Sequence, residues 1–329
     1  MTLLGGDIGG THTRLALFDD EGCPLAGHPE RTYPSREYRG LDEVVGHFAD
    51  ETGERPAAAC FGVAGPVRDG RAVTTNLPWV VDAVELGRTL GARSWVINDL
   101  EAMAWGIAGL APDDMAELAP GDPSAAGNAA VIAAGTGLGE AGLFWDGRRH
   151  HPFATEGGHA SFAPSDDLEV ELLAWLRMRV DTHVSWERIV SGPGLVSLYE
   201  FLRDSRRGDE PAWLAQEMRA GDPGAVISAA ALDGRSALAT LALDRFVALY
   251  GAEAGNLALK VMARGGVYLG GGIAPNILPA LRGGAFHARF VDKGRMRPVL
   301  EAVPVRVVLN DRCGLLGAGR CAALRTRGD

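Results

Sequence analysis

The stretch that most constrains the fold is Gly5-Gly6-Asp7-Ile8-Gly9-Gly10-Thr11, near the N-terminus. Leu3 and Leu4 precede it, and alternating residues follow from 12 to 18, so the period-2 pattern predicts two strands joined by a tight Gly-Gly turn. Glycine lets a backbone approach a ligand closely, and consecutive turn amides form an anion-binding concavity. A nearby acid can hold a magnesium ion through water. The stretch therefore indicates a phosphate and metal site, although an ordinary hairpin with a solvated Asp7 explains it equally well.

Composition places the chain among soluble globular proteins. Its 329 residues suffice for two domains, and 47% of them are hydrophobic while 22% are charged. A net charge of -10 argues against nucleic-acid binding. We find neither a secretory signal pattern nor an apolar run long enough for a membrane span, so we expect a cytoplasmic protein without membrane contacts. The four cysteines are scattered, which fits reduced thiols and no structural zinc.

Two common nucleotide-binding motifs are excluded. The only lysines are Lys260 and Lys293, and neither follows a glycine loop at the spacing of a P-loop. Gly137, Gly139 and Gly142 match a dinucleotide fingerprint, but they precede a predicted strand instead of a helix, which argues against a nicotinamide dehydrogenase. Any nucleotide phosphate must therefore be held by backbone amides, threonine, arginine and metal.

The order of predicted elements indicates an α/β fold. Strands alternate with helices in the first 110 residues, and a Pro-, Asp-, Gly- and Ala-rich stretch at 111–128 predicts the crossing into a second domain. A second Gly-Thr hairpin, with strands at 129–134 and 141–145, hints at a duplicated fold. The remaining predictions are helices within 41–52, 82–90, 100–110 and 168–263, strands at 57–64, 95–97, 265–269 and 303–309, and a last helix at 314–323.

Asn98-Asp99 follows a predicted strand and opens a predicted helix. Open α/β sheets place ligands at such carboxyl ends, so Asp99 is a candidate general base. Aspartate is also a preferred helix N-cap, which accounts for Asp99 without any catalytic role.

A second polar cluster lies in Thr155-Glu156-Gly157-Gly158-His159. Its acid and histidine suit a sugar, whose hydroxyls each donate and accept hydrogen bonds, and Glu187 can add a third polar group. A metal site with His150 and His151 and a plain polar loop are the alternatives; the absence of a nearby cysteine disfavours zinc.

The glycine motifs together resemble those of a known superfamily. Strand-Asp-x-Gly-Gly-Thr, strand-Gly-Thr-Gly-x-Gly and strand-Gly-Gly-Gly-Ile occur in the order of the phosphate-1, phosphate-2 and adenosine motifs of the actin, hexokinase and heat-shock chaperone ATPases. More narrowly, the segments 96–99, 156–159, 187–195 and 314–317 are similar to those of bacterial glucokinases. The similarity extends over almost the whole chain.

The resemblance implies ATP-dependent phosphorylation of glucose to glucose 6-phosphate. Asp99 is then the base for the 6-hydroxyl, and Asp7 holds Mg²⁺ through water. Glucose is expected to contact Asn98, Glu156, His159 and Glu187, with Thr75 and Asn76 lining the pocket. ATP is expected to contact Asp7, Gly9, Gly10, Thr11, Gly135, Thr136, Gly137, Gly271 and Gly272.

The resemblance also implies a two-lobed actin-like (ribonuclease H-like) fold with a ligand cleft, usually as a homodimer. The expected domains are a small one at 1–110 and a large one at 111–312, with a C-terminal helix at 313–329 returning to the small domain. The chain lacks the cysteine zinc loop of the ROK (repressor, open reading frame, kinase) sugar kinases, which implies the zinc-free group. His12, where many relatives carry asparagine, receives no role.

Alternatives remain open for the sugar, for the phosphoryl donor and for catalysis itself. The substrate can be mannose, fructose or an amino sugar, and the phosphoryl donor can be another nucleotide or polyphosphate. A non-catalytic sugar-responsive regulator is less consistent with the sequence, because the first hairpin begins at residue 3 and leaves no room for a DNA-binding helix-turn-helix. A degenerate kinase that only binds is disfavoured by the intact Asp7 and Asp99.

Overall fold

A computed structural model describes residues 1–74, 77–180 and 183–328. The chain forms two compact units. Unit 1 comprises Met1–Asp114, Arg149–Ala154 and Asn310–Asp329, and unit 2 comprises Met115–Arg148 and Thr155–Leu309. Unit 1 is therefore assembled from three separate stretches of chain.

Strands and helices alternate through much of the chain, as the pattern of the sequence predicts. The strands are β1 (Leu3–Ile8), β2 (His12–Phe18), β3 (Arg31–Pro34), β4 (Ala58–Val63), β5 (Val67–Arg68), β6 (Arg71–Val73), β7 (Val80–Asp82), β8 (Arg93–Asn98), β9 (Met115–Ala119), β10 (Ala129–Ala134), β11 (Leu138–Trp145), β12 (His150–Ala154), β13 (Gly266–Gly270) and β14 (Val305–Val308). The helices are α1 (Leu41–Thr52), α2 (Ala83–Leu90), α3 (Asp99–Ile107), α4 (Asp167–Arg177), α5 (Gly192–Asp204), α6 (Ala212–Ala220), α7 (Pro223–Leu232), α8 (Ala237–Val261), α9 (Ile273–Asn276), α10 (Leu278–Arg282), α11 (Ala285–Val291), α12 (Arg297–Glu301) and α13 (Cys313–Arg327).

The main sheet of unit 1 has the strand order β3-β2-β1-β4-β8. β1 pairs antiparallel with β2, and β1, β4 and β8 run parallel, so their carboxyl ends share one edge. Side chains on successive residues of β1 point to opposite faces. Leu4 accordingly packs in the cluster that contains Phe48 of α1, while Leu3 packs with Leu315 and Cys321 of α13.

A second, small sheet of unit 1 lies between β4 and α2 in the chain. It has the order β5-β6-β7, and both strand pairs are antiparallel. This sheet was not predicted: Gly65-Pro66 and Arg68-Asp69-Gly70-Arg71 indicate only a loop and a turn. Its strands are two or three residues long, too short to show an alternating pattern.

The strands of unit 2 follow the order β11-β10-β13-β14-β9. The pairing of β10 with β11 is antiparallel and those of β10 with β13 and of β13 with β14 are parallel, which repeats the β2-β1-β4-β8 arrangement of unit 1. The duplication indicated by the two Gly-Thr hairpins is thus present in the topology. β9 was predicted as linker; its alanine-rich sequence has low strand propensity, and its pairing with β14 stabilises it.

The core of unit 2 includes most of α8. Residues such as Phe246, Val247 and Tyr250 are at most 1% exposed. Within the described residues no single helix is long and apolar enough to cross a membrane; α7 and α8 meet that test only as a pair bent by 102°.

Close packing of α13 on α3 depends on glycine. A Cβ at Gly317 would overlap the Ala102 carbonyl, and one at Gly106 would overlap the Cys313 carbonyl. Because both helices belong to unit 1, these glycines allow the C-terminal helix to approach the backbone that follows β8.

We expect Gly317→Ala to lower the free energy of unfolding by about 1–3 kcal/mol, because the new methyl group overpacks a backbone contact. Gly46→Ala is the matched control: it also lies within a helix, but its Cβ would meet its nearest heavy atom at 4.0 Å. That change should stabilise the protein by about 0.5–1 kcal/mol through helix propensity. Urea denaturation of both variants tests this. Equal changes in the free energy of unfolding for the two variants would show that the close contact of Gly317 with α3 does not matter for stability.

Candidate active site

Two carboxylates of unit 1 lie at the carboxyl ends of parallel strands. Asp7 is the penultimate residue of β1, and Asp99 follows β8 directly. Between them runs β4, where Gly62 is the register partner of Asp7. A Cβ on Gly62 would lie 2.7 Å from the Ala102 Cβ and 3.8 Å from the Asp99 Cα. The absent side chain therefore lets α3 pack directly on β4, which places Asp99, the first residue of α3, at the sheet edge that carries Asp7.

The two carboxylates interact electrostatically. Burial of the carboxyl, followed by the charge of Asp99, raises the pKa of Asp7 to about 6, with smaller contributions from Glu30 and Asp311. Arg14 opposes this rise. Asp7 is thus a carboxylate in a negative environment that favours a cation or a proton beside it.

Arg14 was missed by the sequence analysis. It stands directly opposite Asp7 in the β1–β2 register, donates to the Asp311 carboxylate at 2.8 Å and lies 3.8 Å from Glu30. The period-2 pattern of the hairpin was the available signal, since it places residues 7 and 14 across from each other. A polar cavity of about 270 Å³ adjoins it, lined by His12, Arg14, Glu30, Thr32, Asp311 and Arg312.

The turn that joins β1 to β2 is held by Ser35. The Gly9 amide donates to the His12 carbonyl at 2.9 Å, the Ser35 hydroxyl donates to the Gly9 carbonyl at 2.8 Å, and the Ser35 amide donates to the Thr11 carbonyl at 2.9 Å. Gly10 and Thr11 lie at the turn itself, and Thr11 is exposed. The backbone of α13 also approaches the Asp7 carboxylate. A Cβ at Gly314 would lie 3.5 Å from the Asp7 Cγ.

The N-cap of α3 is Asn98. The alternative that Asp99 serves only as the helix cap therefore does not hold. The Asn98 Oδ1 accepts from the Leu100 amide at 2.9 Å, and its Nδ2 donates to the Gly65 carbonyl at 3.0 Å. Asp99 is the first residue of the helix, and its Oδ1 accepts from the same amide at 2.9 Å. The cap and the candidate base are thus different residues.

In unit 2, the 155–159 loop packs on strand β11 through its two glycines. A Cβ at Gly157 would overlap the Glu140 carboxyl group, and one at Gly158 would overlap the Leu138 carbonyl. The Thr155 hydroxyl donates to the Glu140 carbonyl at 2.9 Å. This contact explains the spacing of Glu156 and His159: the residues between them have no room for side chains. Both polar side chains are exposed, with 3.9 Å between the His159 Nε2 and the Glu156 Oε2.

Glu187 belongs to the segment that pairs with this loop. The Phe162 amide donates to the Val184 carbonyl at 2.9 Å, and the Trp186 amide donates to the Ala160 carbonyl at 3.0 Å. The Glu187 carboxylate accepts from the Leu138 amide at 3.1 Å. Glu156, His159 and Glu187 are therefore brought together around the start of β11.

The glycine turn at 135–137 meets two other backbone segments of unit 2. The Gly135 carbonyl accepts from the amide of Gly192, the first residue of α5, at 2.8 Å. Gly271 has a φ of +78° and approaches Ala134 so closely that a Cβ would overlap its carbonyl, while Gly272 precedes α9. The Gly192 and Gly194 amides are already bonded, to the Gly135 carbonyl and the Ser191 hydroxyl, and Pro193 has no amide hydrogen. The turn, and not the N-terminus of α5, is therefore the candidate for holding an anion.

Two expected pocket residues, Thr75 and Asn76, lie outside the described residues. Within the described part of the chain no group of three or more His, Cys, Asp or Glu side chains is arranged to hold a metal ion. His150 and His151 lie on β12, in unit 1, whereas Glu156 and His159 belong to unit 2.

Comparison with known proteins identifies the relatives of this chain. Residues 4–325 match the family model described as Glucokinase. A glucokinase of Nostoc punctiforme is 43% identical over 336 residues, with 98% of each chain covered. Among solved structures, a glucokinase from an Antarctic psychrotroph is 32% identical with a TM-score of 0.84 and 98% coverage of both chains. A Balamuthia mandrillaris glucokinase in complex with glucose is 25% identical with a TM-score of 0.80, covering 98% of this chain and 93% of the other.

We expect Asp7→Asn to stabilise the protein above pH 6. The pKa of Asp7 rises from an ordinary 3.8 to about 6 on folding, so stability is lost as the pH rises through 6 and the buried carboxyl ionises. Asparagine removes that cost, which we estimate at about 1–3 kcal/mol. Urea denaturation at pH 7.5 and pH 4 tests this, and the gain should vanish at the lower pH.

Asp122→Asn is the control, because the pKa of Asp122 is lowered in the folded protein whereas that of Asp7 is raised. Hydrogen bonds from Ser124 lower the pKa of this exposed aspartate, so its ionised form favours folding above the ordinary pKa. The substitution should leave stability at pH 7.5 unchanged or reduce it. A loss of stability in Asp7→Asn at pH 7.5 would contradict the assigned environment of Asp7.

Proposed function

The chain belongs to the glucokinase family, and we propose that it transfers the γ-phosphoryl group of ATP to the 6-hydroxyl of D-glucose with Asp99 as the general base. It has the two-domain actin-like ATPase fold of these sugar kinases. The observation that supports the role of Asp99 is its place beside Asp7 at the carboxyl ends of parallel strands, where the charges of the two carboxylates interact. A base for the acceptor and an acid for the metal need to be neighbours in a phosphoryl transfer.

Asp99 accepts the proton of the sugar hydroxyl as the new bond to phosphorus forms. Its position at the first turn of α3 is rigid, because Asn98 caps the helix and is itself anchored on Gly65. Phosphoryl transfer passes through a loose transition state, so the protein contributes mainly positioning and charge stabilisation. A fixed carboxylate meets that requirement better than one on a mobile loop.

The ATP phosphates contact the backbone of the two glycine turns. In unit 1 we assign Gly9, Gly10 and Thr11 to the transferred phosphate. In unit 2 we assign Gly135, Thr136 and Gly137 to the remaining phosphates, next to the N-terminus of α5. Gly271 and Gly272 flank the adenosine, where the absence of side chains lets a flat ring approach the backbone.

Asp7 is the residue that would hold Mg²⁺. The site fits this ion, because magnesium takes oxygen ligands and is usually bound through one or two carboxylates together with substrate phosphates and water. Burial, followed by the charge of Asp99, raises the pKa of Asp7, and a cation beside the two carboxylates relieves their repulsion. When bound, the ion neutralises developing charge on the phosphates.

Glucose hydroxyls are bound by Asn98, Glu156, His159 and Glu187, with Thr75 and Asn76 as further lining residues. Glu156, His159 and Glu187 are joined through the backbone pairing described above, so one rigid part of unit 2 presents an acceptor pair and a donor. Acceptor and donor groups in this arrangement match sugar hydroxyls. We also propose, from the family alone, a cytoplasmic homodimer that serves glycolysis; sedimentation velocity tests the dimer.

Other hexoses remain the main rival substrates. A coupled assay of ADP release with glucose, mannose, fructose and glucosamine ranks them by kcat/KM. We expect glucose to rank first, and release of ADP without any sugar preference would contradict the proposal. Binding of glucose without ADP release would favour a regulator.

We expect Asp99→Asn to lower kcat by about 10²–10⁴-fold, the usual contribution of a general base, without loss of the fold. Steady-state kinetics and circular dichroism measure the two effects. Asp167→Asn is the matched control, since Asp167 is likewise the first residue of a helix behind a capping residue and is exposed. It should keep full activity. A kcat of Asp99→Asn near that of the control would exclude Asp99 as the base.

We expect Glu156→Gln to raise the KM for glucose by about tenfold, because a charged hydrogen-bond acceptor worth about 1.5–3 kcal/mol is replaced by an amide. The KM for ATP should stay within twofold. Glu171→Gln, an exposed glutamate of α4 paired with Arg207, is the control. An unchanged glucose KM would remove Glu156 from the sugar site.

A further inference from the structure

A pair of buried acids lies behind the 155–159 loop. Glu140 on β11 is 1% exposed, and Glu253 in the middle of α8 is 0% exposed. Neither oxygen of the Glu140 carboxyl has a hydrogen-bond partner among the described residues. An ionised carboxylate in such a place carries a large desolvation cost, so the proton content of this pair has to be explained.

Burial raises the pKa of Glu253 as well, but the hydrogen bonds to Glu253 favour placing the proton of the pair on Glu140. Glu253 accepts from the Asn256 Nδ2 at 2.8 Å and from the Lys260 Nζ at 3.1 Å, and both contacts stabilise its anion. Glu140 has no such donors in the part of the chain that the structure describes. Burial, and then the charge of Glu253, raise the pKa of Glu140 to about 8, against a smaller opposing effect of Lys260. A protonated Glu140 can itself donate to Glu253, which supplies the partner that its oxygens otherwise lack.

The same carboxyl group is in contact with the 155–159 loop. A Cβ at Gly157 would overlap the Glu140 Oε2 and would lie 3.3 Å from the Glu140 Cβ. The Thr155 hydroxyl is bonded to the Glu140 carbonyl. Both sequence neighbours of Glu156, Thr155 and Gly157, therefore contact Glu140.

We propose that Glu140 is a positioning residue for glucose binding, and that it holds the 155–159 loop in its sugar-binding geometry only as the neutral acid. The inference rests on the proposed function, because it assumes that Glu156 and His159 bind the sugar. Loss of the Glu140 proton places two negative charges side by side in a dry interior. The carboxylate then has to gain water, and the glycines packed against it have to move.

The charged and titratable groups around Glu140 fix the direction of the effect. Those on α8 are Tyr250, Glu253 and Lys260, while Lys293 after α11 faces Glu253. Burial, with a smaller contribution from the charge of Glu140, raises the pKa of Tyr250, so this phenol stays neutral when Glu140 ionises. Lys260 already donates to Glu253. None of these groups removes the repulsion between the two carboxylates as the pH rises.

The test is the pH dependence of the glucose KM between pH 6.5 and 9.5. In the wild-type protein we expect KM to rise above pH 8, by up to tenfold per pH unit, while kcat at saturating glucose stays constant because bound glucose favours the protonated form. Glu140→Gln has no proton to lose. Its KM should stay near the low-pH value of the wild type over the whole range.

Glu117→Gln is the matched control, because it makes the same change on the exposed side of β9 in the same sheet. It should follow the wild-type curve. Identical curves for wild type and Glu140→Gln would overturn the inference while leaving the proposed function intact. A wild-type protein that does not phosphorylate glucose would instead overturn the proposed function.

A second measurement does not depend on any variant. Calorimetric titration of the wild-type protein with glucose at pH 8.5, in buffers of different ionisation enthalpy, reports protons exchanged on binding. We expect proton uptake at pH 8.5 and none at pH 6.5, since only at the higher pH is part of the free protein ionised at Glu140. Absence of uptake at pH 8.5 would refute the role of Glu140.

Discussion

The candidate active site depends on backbone that approaches other groups where side chains are missing. Gly62 lets α3, which begins with Asp99, pack on β4. Gly157 and Gly158 let a loop lie directly on β11, and Gly317 lets α13 reach α3. At each of these glycines a neighbouring segment packs directly against the main chain. This close packing fixes the positions of the polar side chains next to the glycine. Such contacts tolerate little change, because the interior around them is already filled.

The two units use the same strand order for different chemistry. In unit 1 the hairpin and the following parallel strands carry Asp7 and Asp99, whereas the corresponding elements of unit 2 carry a glycine turn and Glu140. Burial raises the pKa of a carboxyl in each unit, Asp7 in one and Glu140 in the other. A raised pKa in the folded state predicts that both acids cost stability at neutral pH, which is typical of groups retained for function.

Local patterns predicted the elements but not the contacts between distant stretches. The bounds of α1 were predicted correctly, since acidic residues begin it and Gly53 ends it in the left-handed conformation. The family, the fold class and the kinase activity were confirmed, because three glycine motifs in a fixed order are specific. β9 and the small sheet β5-β6-β7 were missed because their strands form through pairing and not through their own pattern. Gly62, Arg14 and Glu140 gain meaning only from neighbours far away in the chain, and the roles of the individual site residues stay predictions.

The division of unit 1 among three stretches of chain has a consequence for biosynthesis. Residues 310–329, which contain α13, complete the core around Leu3 and Ile97 and bring Gly314 to Asp7. These residues are synthesised after all of unit 2, so until then the N-terminal sheet lacks one of its layers, although domains often fold in order of synthesis. The surroundings of Asp7, near the start of the chain, are thus completed by a helix that is synthesised only after unit 2.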